Sequence, residues 1–224
     1  TRLPGREGPP PKTGKIFDNI FLQRVNLWQT NKRICSLLHT ERIGKHAATL
    51  AGVDAIRVYH DQALIKEPWA NATPWHMDGA YWSFHSRDAI TIWIALDDAA
   101  LENGCMWFVP GSHRIADYRN VSIGFNMADL FKIYPEMADI DPVAVPMKAG
   151  DCSFHNGLVA HGAGANMTRT RRAAMTCAYM PDGSTFNGKK NILSDEMIAS
   201  LKVGDVLNNN EQNPLIYHKM SSSV

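Results

Sequence analysis

A balanced charge, 23 Lys and Arg against 22 Asp and Glu in 224 residues, gives no general surface for polyanions, so nucleic acid and anionic membrane are poor partners. No apolar run approaches the roughly 18 residues that a spanning helix needs. The length suits one domain (1–224) around one substantial core.

Residues 1–15 carry Pro4, Gly5, Gly8 and the Pro9-Pro10-Pro11 run, and are expected to form a flexible or polyproline-like lead-in, too polar for a secretory leader. The chain starts at Thr1 in place of Met, which suggests either a trimmed chain or a missing N-terminal piece. Residues 16–52 read as helical support. Phe21-Leu22, Val25 and Trp28, then Ile34, Leu37 and Leu38, recur mostly at three- and four-residue spacings. Asn31 and Thr40 are N-cap candidates, Glu41 falls in a first turn, and Gly52 is a stop.

Beyond Gly52 the pattern turns to short strands, predicted at 55–65, 74–81, 89–96, 105–109, 143–147, 151–155 and 172–180. Asn71, Glu102-Asn103-Gly104, Pro110-Gly111-Ser112, Gly150-Asp151 and Pro181-Asp182-Gly183 supply the turns between them. Segment 89–96 is apolar on both faces, with Ile90, Ile92, Ile94 and Leu96 on one side and Trp93 and Ala95 on the other, as expected of a strand between two layers. The fold class is therefore mainly β with flanking helices: a double-stranded β-helix, or cupin-like jelly roll, over 53–182. The lack of strand–helix alternation and of a Gly-rich phosphate loop argues against a doubly wound α/β fold.

Residues 114–142 interrupt this core, with a short helix predicted over 127–133 between Asn126 and Pro135; a lid and a plain surface helix are equally compatible. Residues 183–224 form a C-terminal extension with a helix start at Ser194-Asp195-Glu196. Cys35, Cys105, Cys152 and Cys177 form no C-x-x-C, and the last three sit in apolar, strand-like surroundings. They read as buried free thiols, which favours a reducing, cytoplasmic compartment.

Chemistry concentrates in Pro74-Trp75-His76-Met77-Asp78-Gly79. On an extended chain His76 and Asp78 project to one side, supplying two of the three ligands of a 2-His-1-carboxylate iron site. A pair of this kind is also common as a simple hydrogen-bonded couple. About 80 residues downstream, Phe154-His155-Asn156-Gly157-Leu158-Val159-Ala160-His161-Gly162 offers two candidates for the third ligand, His155 and His161. Small residues at Gly162-Ala163-Gly164 would let backbone pass close to a metal. Arg169-Thr170-Arg171-Arg172 follows, and an arginine entering the barrel there would clamp a carboxylate in bidentate fashion.

Taken together these pieces resemble the phytanoyl-CoA dioxygenase family of Fe(II)/2-oxoglutarate oxygenases. The matching runs are Trp75-His76-Met77-Asp78, Trp93-Ile94-Ala95-Leu96-Asp97-Asp98, Glu102-Asn103-Gly104-Cys105, Val109-Pro110-Gly111-Ser112-His113, Ala149-Gly150-Asp151, His161-Gly162 through Asn166, and Arg171-Arg172. The resemblance covers roughly 55–182 and implies a single oxygenase domain that uses Fe(II), 2-oxoglutarate and O2. It implies His76, Asp78 and His161 as iron ligands and Arg172, or Arg171 in a shifted register, as the clamp on the cosubstrate's far carboxylate. Gln62 and Trp93 would line the cosubstrate pocket. The implied reaction hydroxylates a C–H bond of a small molecule, an acyl-CoA or a secondary metabolite, and releases succinate and CO2. Two departures stand out: Ala163 replaces a residue that often bears a hydroxyl, and the family's N-terminal helix–strand unit is shortened or absent.

Other readings stay open beside this one: a silent barrel that binds or senses metal or 2-oxoglutarate, and a cupin-like isomerase or hydrolase. His113 reads as a turn cap, His60 and His85 as polar filler near the pocket mouth, and Tyr81 and Trp82 as core or substrate wall. No sequence signal sets an oligomeric state.

Overall fold

The computed structural model describes residues 20–119 and 126–219; the proposed lead-in lies outside them. Ten strands form two antiparallel sheets that face each other as a jelly roll. The major sheet orders β1 (Leu22–Val25), β2 (Ala55–Lys66), β9 (Arg172–Pro181), β4 (Ile90–Ala95) and β7 (Cys152–Asn156), with β10 (Leu215–His218) also on β2. The minor sheet orders β3 (Thr73–His76), β8 (His161–Ala163), β5 (Met106–Phe108) and β6 (Val143–Val145).

The 12-residue β2 is long enough for β1 and β10 to share one of its edges, β1 against Gln62–Ile65 and β10 against Ala55–Arg57. β4 confirms the two-layer expectation. Ile90, Ile92 and Ile94 join the cluster under the helices, while Trp93 and Ala95 pack between the sheets with Met106, Ala163 and Ala174.

α1 (Lys32–Leu38) and α2 (Glu41–Ala51) cover the outer face of the major sheet. Asn31 Oδ1 accepts from Arg33 N and Ile34 N, Thr40 Oγ1 accepts from Ile43 N, and Gly52 closes α2 with φ 73°. Each satisfies helix-end backbone groups that would otherwise lack partners.

The helical expectation fails before Asn31. Leu22–Val25 is an edge strand on β2, and the chain then turns at Asn26 (φ 54°) into a 3-10 turn, Leu27–Gln29. That turn is held by the buried Asp61, whose carboxylate accepts from Leu27 N at 3.0 Å and Trp28 N at 2.9 Å. The chain thus enters the barrel through a strand and two helices at 22–51. The sequence also concealed β8 and β10. Among the cysteines, Cys105 and Cys177 are buried as expected, but Cys152 is exposed because it faces outward on β7; all four are free.

The described part of the 114–142 segment packs beside β3, through α4 (Asp129–Ile133) and a 3-10 turn, Pro135–Met137. Leu130, Tyr134 and Met137 are buried against Met77, Leu158 and Ala160, and Phe131 lies 5.8 Å from the Trp75 ring. It follows α3 (Ser112–Ile115). In the C-terminal extension, α5 (Asp195–Ser200) is capped by Ser194 as expected.

Candidate metal centre

His76 ends β3 and His161 begins β8, and the two are partners in the antiparallel register. Met77 stays extended before the chain enters a 3-10 turn at Asp78, so the Asp78 carboxylate swings to the side of His76. One donor atom from each of His76, Asp78 and His161 lies within 4.8 Å of the others. Asp78 Oδ1 is 3.7 Å from His76 Nε2 and 3.8 Å from His161 Nε2. The Nδ1 atoms are tied back to the chain, His76 to Pro74 O at 2.8 Å and His161 to Val159 O at 3.0 Å. Each bond requires a proton on Nδ1 and leaves an Nε2 lone pair facing the cluster, the arrangement expected of metal-ligating imidazoles.

Electrostatics suit a cation here. Burial, with His76 beside it, pushes the His161 ring down to about 3, so it is neutral at physiological pH. Burial opposes the Asp78 charge, yet His161, His155 and His76 around it hold the carboxyl well below the ordinary range. The His161 and His76 imidazoles and one carboxylate in this cluster are the donor set of a facial 2-His-1-carboxylate centre, with positions left for other ligands.

A cavity between the sheets connects this cluster to Arg172 and is lined by Gln62, Trp93, His60, Thr91, Thr73 and Met106 among others. Arg172 is 3% exposed, whereas Arg171 points to solvent; the structure thus brings Arg172 to the site. Its Nη2 donates to Gly104 O at 2.8 Å, its guanidinium lies 5.3 Å over the Trp93 ring, and its Nε is buried without a partner among the described residues. An unsatisfied buried guanidinium N–H is costly unless an anion meets it.

Gly104, with φ 93°, makes this corner: a Cβ there would meet Gly164 O at 2.6 Å and Lys66 Cδ at 2.8 Å. Lys66 ends the 62–66 stretch that the resemblance sets beside the cosubstrate pocket, with no sequence signal for a role of its own. It is fully buried, donates to Asn71 O at 2.6 Å and lies 3.4 Å from Thr73 Oγ1. Burial, then the Arg172 charge, pushes its ammonium down to about 7. The buried Arg172 guanidinium at one end of the cavity, with Lys66 behind it, and the His76, Asp78 and His161 donors at the other suit an anion between them.

Trp93 and Gln62 line the cavity as expected. His60 does as well, where burial pushes it down to about 4 against the pull of Asp78. His85 stacks on Tyr118 at 4.1 Å, and Trp82 is buried in the core against Tyr59 and Phe84. His113 sits in α3, its carbonyl accepting from Arg87, and does not line the cavity. His155 lies outside the three-donor group but borders it, 3.5 Å from Asp78 Oδ2.

Comparison with known proteins agrees with this geometry. The family model described as phytanoyl-CoA dioxygenase matches residues 13–174. The chain belongs to the phytanoyl-CoA dioxygenase family. A phytanoyl-CoA dioxygenase domain-containing protein 1 homolog from Caenorhabditis briggsae is 30% identical over 153 residues, which cover 64% of this chain and 53% of the relative. This chain spans about half the length of the curated family relatives it matches. Among solved structures, the non-heme alpha ketoglutarate dependent carbocyclase SnoK superposes with a TM-score of 0.74 at 32% identity, covering 88% of this chain and 76% of SnoK. The epimerase SnoN in complex with Fe3+, alpha ketoglutarate and nogalamycin RO does so with a TM-score of 0.70 at 27% identity, over 88% of this chain and 78% of SnoN.

Proposed function

We propose that this chain is an Fe(II)/2-oxoglutarate-dependent oxygenase that hydroxylates a C–H bond of a small organic substrate. The observation that carries this reading is the cluster of His76, Asp78 and His161 donors in a cavity that ends at the buried, unsatisfied Arg172. When bound, the iron with 2-oxoglutarate and O2 supplies the oxidising power, and the cosubstrate leaves as succinate and CO2.

The protein's share is binding and orientation. His76 Nε2, Asp78 Oδ1 and His161 Nε2 hold the ion, with both imidazoles fixed in tautomer by their backbone acceptors. Arg172, flattened against Trp93 and backed by Lys66, receives the far carboxylate of 2-oxoglutarate. Trp93, Met106 and Leu64 keep the cavity apolar and exclude water. His60 and Gln62 give the β2 wall hydrogen-bonding groups that orient the substrate. Retention of Asp78 keeps a third protein ligand on the metal, which favours hydroxylation over delivery of a halide.

For the substrate, the reading favours a compact secondary metabolite over an acyl-CoA. Lys189 Nζ is engaged by Ala80 O at 2.7 Å and Lys190 by Asp195, so this lysine pair forms no free cradle for CoA phosphates. The similar structures of SnoK and SnoN, an alpha ketoglutarate dependent carbocyclase and epimerase from nogalamycin biosynthesis, support a secondary metabolite as the substrate class.

The test is anaerobic addition of Fe(II) and 2-oxoglutarate. The expected result is the weak visible charge-transfer band of the chelate, lost in His76→Ala and weakened in Arg172→Ala. If neither substitution alters the band, the assignment fails. Succinate release then scores a panel of small metabolites and acyl-CoA thioesters.

A further inference from the structure

We propose that His155 is a positioning residue for Asp78: with Thr91 it holds the outer carboxylate oxygen, so that only the inner oxygen meets the metal. The inference rests on the metal site proposed above and adds to it a residue that binds no metal itself.

The two oxygens of Asp78 have different surroundings. Oδ1 faces the imidazoles, 3.7 Å from His76 Nε2 and 3.8 Å from His161 Nε2. Oδ2 points the other way, accepting from Thr91 Oγ1 at 3.2 Å and lying 3.5 Å from His155 Nε2. Thr91 and His155 are register partners across β4 and β7, so two adjacent strands of the major sheet aim their donors at one oxygen.

His155 has no other visible employment. It is 7% exposed, and neither ring nitrogen has a hydrogen-bond partner among the described residues. Its ring is held by Phe108, 5.3 Å away, and His161, 4.7 Å away. Leaving a buried imidazole wholly unpaired is costly, and Asp78 Oδ2, 3.5 Å from Nε2, is within a small adjustment of a hydrogen bond.

Chemistry gives the arrangement a purpose. A carboxylate with both oxygens free can chelate a metal through both and so consume two coordination positions. A facial triad has to spend only one on its carboxylate to leave three for cosubstrate and O2. Donors on Oδ2 from Thr91 and from the Nε2–H tautomer of His155 fix the rotation of the carboxylate and keep that oxygen off the metal.

The experiment titrates the full chain anaerobically with Fe(II), and with Co(II) as a spectroscopic probe, without 2-oxoglutarate. His155→Phe keeps a ring against Phe108 and removes the donor; His155→Gln keeps a donor. The expected result is a roughly 10- to 100-fold loss of metal affinity in His155→Phe, with His155→Gln within about threefold of the parent. Thr91→Val should lose affinity in the same direction, and the double variant should lose less than the product of the single losses, because both donors serve one oxygen. Parental affinity in a folded His155→Phe protein, or an equal loss in His155→Gln, overturns the proposal. Should His155→Phe fail to fold, an unchanged affinity in Thr91→Val overturns it instead. Metal affinity is read apart from turnover. A parent protein that binds Fe(II) with these losses yet never consumes 2-oxoglutarate would refute the oxygenase reading and leave the role of His155 standing.

Discussion

His76 and His161 face each other as paired residues of β3 and β8, with ring centroids 4.2 Å apart. Their separation is therefore set by backbone pairing between two short strands, and side-chain flexibility has little part in it. Whatever parts those strands should open the metal site.

Gly162 is the lever for doing so. A Cβ at this position would meet the backbone oxygen of Thr73 at 2.8 Å, and Thr73 belongs to β3. A carbonyl in a paired strand cannot swing aside as a long side chain would, so Gly162→Ala must push β3 and β8 apart. The expected cost is about 1–3 kcal/mol of stability, with metal affinity down by more than about tenfold through the misplaced imidazoles. Thermal melts with and without Co(II) read both effects; a variant whose stabilisation by Co(II) equals that of the parent would show that the strand spacing does not control the site.

Arg172 should act on the cosubstrate alone. Its guanidinium is oriented by Gly104 O and the Trp93 ring, and a lysine there would offer one point charge in place of the planar fork. Arg172→Lys is expected to raise the KM for 2-oxoglutarate by roughly 10- to 100-fold, matching about 1.5–3 kcal/mol for hydrogen bonds to a charged group. Arg172→Ala should cost more. The KM for the substrate should stay within a factor of about three in both, measured by succinate release. A parallel rise in both constants would indicate a general collapse of the cavity.

Much of this site was legible in the sequence because its parts are local. His76 and Asp78 are two residues apart, and the strands that carry the cluster have strong apolar patterns, as β4 does with Ile90, Ile92 and Ile94. The hidden elements are those whose composition serves close approach. β8 is His161-Gly162-Ala163, which reads as a turn, and it is a strand because β3 passes too near for larger side chains. β1 was masked by apolar residues at spacings that suit a helix equally well, and its fate was decided by pairing with the distant Gln62–Ile65 segment. The choice between His155 and His161 was open for the same reason: both are histidines late in the chain, and only strand register sets His161 in the three-donor group and His155 beside it. Lys66 and Thr91 gave no signal, being single polar residues in apolar strands whose meaning depends on what lies across the barrel.

Asp61 ties this hidden β1 to the core. It is fully buried and satisfies Leu27 N and Trp28 N at the turn after β1. Asp61→Ala leaves two backbone donors without their acceptor, so stability should fall by about 1–3 kcal/mol. Hydrogen exchange should speed up first in β1 and the turn at Leu27–Gln29. Protection lost evenly over the whole major sheet would contradict this local role.

Lys66 makes the ligand-free protein's stability depend on pH. Its ammonium, ordinarily near 10.5, is pushed to about 7 by burial and by the Arg172 charge. Between these values the unfolded chain still binds the proton that the folded chain has released, so stability must rise with pH from about 7 upward, by up to about 1.4 kcal/mol per pH unit for one proton. The opposite trend begins near pH 9. Burial raises the Cys177 thiol well above its usual 9.0 and pushes Tyr59 up to about 12, so the unfolded chain loses these protons first and stability falls. The metal-free protein should therefore melt at increasing temperature from pH 7 to about 9, level off where the Cys177 loss offsets the Lys66 gain, and melt at decreasing temperature above about pH 10. Lys66→Met should flatten the lower window and bring the alkaline decline forward to about pH 9. Saturating 2-oxoglutarate should flatten the same window in the parent, because a carboxylate beside Arg172 and Lys66 holds the ammonium protonated in the folded state and removes the difference between folded and unfolded chains. A melting temperature that rises equally in the parent and in Lys66→Met would assign the slope to another group.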